Sequence, residues 1–192
     1  MSSLLRLIAL VAALAQADVA GAAVSWTSPG PSIPVTALAD QDGHPRALTE
    51  LIADRPVIVS FFFTACARIC PPQTALLRDL QDELGRRGGG VRPLLLSISL
   101  NPLADTPAAL RAYAALFDAR LGDRDGWLML TGTPEALTPV WSTFDTSGLD
   151  FEGHAATLWI GHPASRRWTR TSALSPEVTA ARLADLLLAS EP

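Results

Sequence analysis

The sequence predicts an α/β fold: one central, mostly parallel sheet with helices on both faces and an antiparallel hairpin late in the chain. Three observations carry this reading. Pro56 to Phe63 (PVIVSFFF) is almost continuously apolar and rich in β-branched and aromatic residues, the composition of a strand buried on both faces. This and later apolar runs alternate with stretches opened by a capping residue and a proline, at Thr106-Pro107, Thr133-Pro134-Glu135 and Ser175-Pro176-Glu177. Finally, Ala155 to Gly161 and Arg166 to Thr171 flank the turn residues His162-Pro163-Ala164-Ser165, the signature of a closing hairpin. Strand and helix in alternation call for a layered sheet.

Each element follows in order. Ile33 to Ala39 reads as a short strand, Asp40-Gln41-Asp42-Gly43 as a turn, and Arg46 to Leu51 as a second short element. After the buried strand, Pro71 to Leu84 places Ala75, Leu76, Leu77, Leu80 and Leu84 at helical spacing, leaves Gln81, Asp82 and Glu83 for solvent, and offers Gly85 as the stop. Val91 to Leu100 is the next strand, and Thr106-Pro107 starts a helix expected to run through Phe117 to Leu121. Gly126 to Thr131 is a strand, Thr133 caps the following helix, and Ser175 is expected to open the last one. No internal repeat or long linker interrupts this series.

Composition narrows the function. The 192 residues are 48% hydrophobic and 18% charged, and 15 basic against 19 acidic side chains leave a mild net charge of −4. That excludes a polyanion-coating protein, and nucleic acid is not an expected partner. One globular domain, residues 24–192, is expected after a leader at 1–23. Arg6 supplies a positive start and Leu7 to Ala15 an apolar run. Small residues at Ala15-Gln16-Ala17 and Ala20-Gly21-Ala22 suit signal peptidase. Gln16 and Asp18 cut the run short of the ~20 apolar residues of a spanning helix, so cleavage is favoured over retention as a membrane anchor. The chain is therefore expected in the periplasm or another extracytoplasmic space, with membrane association through the leader if it is kept.

The chemistry concentrates where the buried strand meets the first long helix, in Thr64-Ala65-Cys66-Ala67-Arg68-Ile69-Cys70-Pro71-Pro72. A Cys-x3-Cys spacing puts two thiols one turn apart on the same side, provided the helix begins at Cys66, and both sulfurs can then face one ion. The helix N-terminus and Arg68 between the cysteines favour thiolate over thiol. A purely structural disulfide is the competing reading, but closing so short a loop stabilises by only about 2 kcal/mol. Two thiolates leave copper(I) two-coordinate, and an imidazole would complete the set. His44 and His162 fall in turn-like stretches and are expected to face solvent. His154, in Phe151-Glu152-Gly153-His154-Ala155-Ala156, precedes a strand from which a loop could reach the helix start.

These residues resemble a known family. FFFTACARICPP, SISLNPLADTPAALRAYAALF, WLMLTGTPEAL and GHAATLWIGHP are similar to the Sco/SenC copper-binding, thioredoxin-like proteins, over nearly all the chain after the leader. The resemblance implies a thioredoxin-like sandwich in which Cys66, Cys70 and His154 bind copper(I), with copper(II) as the second oxidation state. It further implies a metallochaperone that supplies copper to, or prepares the cysteines of, the copper-receiving subunit of cytochrome c oxidase. An upstream copper donor or a thiol reductant would be a second partner. The chain departs from the family pattern at Ala67 and Arg68, where Pro-Asp is usual, at Phe62-Phe63 in place of Gly-Tyr, and at Asn101 in place of an aspartate.

Two other readings compete. A thiol-disulfide oxidoreductase or redox sensor would use Cys66 and Cys70 as its exchanging pair, though such enzymes normally carry Cys-x2-Cys and a proline before the later strand, where this chain has His154-Ala155-Ala156. A non-catalytic interaction domain would hold the pair as a permanent disulfide. No Walker-type loop, Ser-His-Asp set or His-Glu-x-x-His helix is present, so nucleotide-dependent and hydrolytic readings lack their groups. Arg166, Arg167 and Arg170 beside Trp168 are read as a solvated strand face.

Overall fold

The computed structural model describes residues 25–88, 92–146 and 155–190. The leader expected at 1–23 lies outside them. Seven strands form a single sheet in the order β2-β1-β5-β4-β3-β6-β7: β1 Ala37–Asp40, β2 Pro45–Ala47, β3 Val57–Phe62, β4 Leu94–Ser99, β5 Trp127–Thr131, β6 Thr157–His162 and β7 Arg167–Ser172. The three central strands β3, β4 and β5 are parallel, each wholly buried, while β1–β2 and β6–β7 flank them as antiparallel pairs. Among the described residues five helices cover the sheet: α1 Leu48–Ile52, α2 Cys70–Arg87, α3 Pro107–Ala115, α4 Pro134–Thr143 and α5 Ala180–Ala189. One core lies between the sheet and α2, α3 and α5, around Leu77, Leu80, Tyr113 and Leu183, and a second beneath α1 and α4, around Leu48, Ile52, Leu137 and Trp141. The α/β layering expected from the sequence is thus formed, with apolar residues on both faces of β3 to β5.

Where the elements end differs from expectation for local reasons. Helix α2 runs past Gly85 to Arg87 because Glu83 pairs with both Arg86 and Arg87 across that turn, and the left-handed step falls on Gly88, φ 65°, whose N–H returns to the Leu84 carbonyl. Helix α3 stops at Ala115 rather than reaching Leu121, since Asp118 takes φ 53° and the preceding N–H groups close three-residue turns. Helix α5 is capped not by Ser175 but by Thr179, whose hydroxyl accepts from the Arg182 N–H. Gln81 faces inward, not to solvent: its amide donates to the carbonyls of Arg120 and Asp125, so a buried polar group holds the loop before β5. Trp168 is also buried, 1% exposed, so the arginine-rich β7 is not a solvated face throughout. Among the described residues no helix is long and apolar enough to cross a membrane.

Candidate functional site

β3 delivers its last residues to the carboxyl-terminal end of the parallel strands, and the chain there turns rather than entering a helix. The Cys66 N–H donates to the Phe63 carbonyl, and residues 66–69 remain non-helical until α2 opens at Cys70. The condition attached to the Cys-x3-Cys spacing, a helix that begins at Cys66, is therefore not met. The thiols are nonetheless brought together, because the Cys70 N–H donates to Cys66 Sγ at 3.3 Å. Ile69, at the cap position, makes no side-chain cap bond, and the Cys66 sulfur satisfies the first free N–H of the helix, that of Cys70. Pro71 and Pro72 fit the first turn, whose N–H groups have no helical partner.

The two sulfurs occupy unequal environments. Cys66 is 9% exposed and Cys70 is fully buried, and both are present as thiols. Burial works against ionising Cys66, but hydrogen bonding with Cys70 and with the backbone N–H groups of Cys70, Arg68 and Ile69 outweighs it and holds its pKa below the usual thiol value. Burial pushes Cys70 strongly the other way, aided by its hydrogen bond with Cys66 and the negative charge of Asp105. The expected preference for thiolate therefore holds for Cys66 and is reversed for Cys70. At position 68 the backbone amide hydrogen-bonds the Cys66 sulfur and lowers its pKa, while the side chain of Arg68 is exposed.

Asp105, which the sequence presents only within the stretch SISLNPLADTPAALRAYAALF, organises the site's approach. Fully buried, its carboxylate accepts from the Thr64 N–H at 3.0 Å, the Thr64 hydroxyl at 2.6 Å and the Ser99 hydroxyl at 2.6 Å. It thereby ties the loop leading to Cys66 to the end of β4 and the start of α3. Gln73 donates to the Phe61 carbonyl and Thr74 shares a hydrogen bond with Tyr113, fixing α2 against β3 and α3. An acidic residue directly before the Thr106 cap was the available signal.

The histidines separate. His154 lies outside the described residues, while Ala156, two positions on, is buried in the same cluster as Cys66 and Cys70. His44 is exposed on the β1–β2 turn. His162, expected to face solvent, is buried at 4% exposure, since it closes β6 and its Nδ1 accepts from the Ala164 N–H. It sits at the amino-terminal end of the sheet beside the start of β3, away from the thiols. Among the described residues, Asp40, Asp42 and His44 also group within ligand distance of one another, but Asp40 already accepts from the Asp42 and His44 N–H groups and pairs with Arg46.

Comparison with known proteins places this geometry. The family model described as SCO1/SenC matches residues 36–163. The chain is 37% identical over 93 residues to the SCO1 protein homolog of Bacillus subtilis, a match covering 48% of this chain and 45% of that protein. The chain spans about half the length of the curated relatives it matches. BsSco, a member of the Sco family of cytochrome c oxidase assembly proteins in which a disulfide switch was identified, superposes with a TM-score of 0.67 at 25% identity, covering 84% of this chain and 94% of that one. Copper-bound ScoI of Bradyrhizobium japonicum has the same thioredoxin-like fold, with a TM-score of 0.61 at 23% identity over 83% of this chain and 99% of that one.

Proposed function

The chain belongs to the SCO1/SenC family, and from that premise we propose that residues 24–192 form an exported copper(I) metallochaperone acting on the copper centre of cytochrome c oxidase. Relatives include a lipoprotein and copper-bound proteins, which support copper as the cargo and an extracytoplasmic location. The observation that carries the reading is the side-chain hydrogen bond between Cys66 and Cys70, beside the Cys70 N–H contact to Cys66 Sγ, which brings two soft donors together at one rim of the sheet. His154 is the third ligand in this proposal, as neutral imidazole, and the approach of its chain segment through the buried Ala156 supports it.

Transfer proceeds by ligand exchange. A client thiolate binds the ion as one donor of this site leaves, copper stays in the +1 state, and no electron is exchanged. Cys66, the less deeply buried and more acidic thiol, is the donor first open to exchange, while Cys70 is the anchored one. Competition for copper(I) against a chromophoric ligand tests this. One tight equivalent is expected, lost in Cys66→Ser and Cys70→Ser and weakened in His154→Ala. Unchanged affinity in His154→Ala would remove the third ligand, and no competitive binding would remove the chaperone reading.

The same asymmetry favours a second reading, in which the chain prepares the client's cysteines. Cys66 thiolate attacks a client disulfide, forming a mixed disulfide and releasing one client thiolate. Cys70, losing its proton, then attacks Cys66 Sγ and frees the second client thiol. The pair leaves as a disulfide, so turnover requires an external dithiol reductant. Reduction of a client peptide disulfide at rates of a dithiol enzyme would support this reading over metal delivery.

A further inference from the structure

At the amino-terminal end of the parallel strands, the pole opposite the thiols, a cavity of about 200 Å³ opens between the end of α2, the entries to β4 and β5, and α5. The 18-residue α2, about 27 Å long, separates it from Cys70. Arg87, Arg92, Arg120 and Arg124 line it, against the single carboxylate of Asp125. Two of these cations are engaged: Arg87 pairs with Glu83 and Asp185, and Arg120 with Asp82 and Asp125. Among the described residues no carboxylate lies within ion-pair distance of Arg92 or Arg124. Instead the Arg92 guanidinium donates to the Arg124 carbonyl, which brings these two chain segments together.

Arg92 and Arg124 are exposed and have no carboxylate partner among the described residues, so a bound anion would supply their counter-charge, and guanidiniums match phosphate oxygens as paired donors. Leu84, Leu95 and Leu188 also line the cavity, and Leu188 is a large apolar side chain left 40% exposed. An inorganic ion would leave Leu188 wet. We propose that this cavity binds a small organic anion with a phosphate head, held by Arg92 and Arg124, and an apolar body laid against Leu84 and Leu188. The volume, below the ~300–1,000 Å³ of drug-sized pockets, limits the bound part to about ten non-hydrogen atoms.

Phenyl phosphate is the probe, titrated calorimetrically into protein purified from expression of the full chain. Saturation at one site per chain is expected, with inorganic phosphate about tenfold weaker. Arg92→Gln combined with Arg124→Gln should weaken phenyl phosphate at least about tenfold, the loss of one charged hydrogen bond, without lowering the unfolding midpoint. Leu188→Glu, at an exposed position, provides a second variant and should abolish binding. Vesicles of phosphatidylcholine with phosphatidylglycerol that displace the probe from the native chain would assign the head to a lipid; failure to displace it would assign a soluble ligand. No saturable binding, or equal binding in the folded variants, would overturn the site. Copper(I) affinity, read separately at the other pole, should be the same with and without probe.

Discussion

Cys66 and Cys70 are chemically the same residue four positions apart, and their surroundings make them different reagents. The Cys66 sulfur sits in a cup of backbone N–H groups, whereas burial dominates at Cys70. Because the first pKa is lowered and the second raised, alkylation by iodoacetamide should rise with pH through a midpoint below 9.0 for Cys66, while Cys70 stays protected over that range. Mass spectrometry of alkylation time courses resolves the two sites; equal rates would contradict the asymmetry. Arg68→Ala should leave the Cys66 midpoint unchanged, since its backbone amide remains. That the cysteines act as a pair at a helix start was legible in the spacing. Their inequality was not, because it depends on depth below the surface, which the alternating Ala, Arg and Ile between them do not encode. Asp105 was equally hidden. Replacing it with alanine strands two donors of Thr64 and one of Ser99, and should cost about 3 kcal/mol in urea unfolding while Asp105→Asn costs less.

Among the elements, existence and order were legible while ends were not. The Thr-Pro signals opened α3 and α4 where expected because a hydroxyl in the cap position satisfies a specific N–H, from Ala109 and Ala136 respectively. A helix end is decided by competition instead: Gly85 permits termination, but the Glu83 pairs with Arg86 and Arg87 hold the next turn, and Gly88 supplies the left-handed residue. Gly85 is therefore an ordinary exposed helical position, where a Cβ would meet nothing within 4 Å. Gly85→Ala should stabilise the protein by about 0.5–1 kcal/mol, seen as a higher urea midpoint at unchanged slope. A loss of stability would mean that the helix does end there.

The whole molecule is organised by the direction of β3, β4 and β5, which sends the thiols to one pole and the arginine-lined cavity to the other. This polarity followed from the alternation of strands and helices. The packing of the residues just after the leader did not, because it depends on partners about 140 positions away. Thr27 forms a two-way backbone bridge with Trp168, at 2.7 and 3.0 Å, and the Thr169 hydroxyl donates to the Ser25 carbonyl. The Arg167 guanidinium stacks on Trp26. The Trp168 indole lies between two glycines with no room for a side chain: a Cβ would come within 1.8 Å of it at Gly30 and 2.3 Å at Gly161. Residues 25–31 therefore cover the edge of β7 and belong to the domain. Losing those hydrogen bonds and the Trp26 contact should cost about 2–3 kcal/mol, or about 5–10 °C for a domain of this size. A chain beginning at residue 24 should melt with the full chain, and one beginning at residue 32 should melt lower by that amount. Equal midpoints for the two would show that the segment adds no stability, and that the domain boundary lies after Pro31 instead of at residue 24.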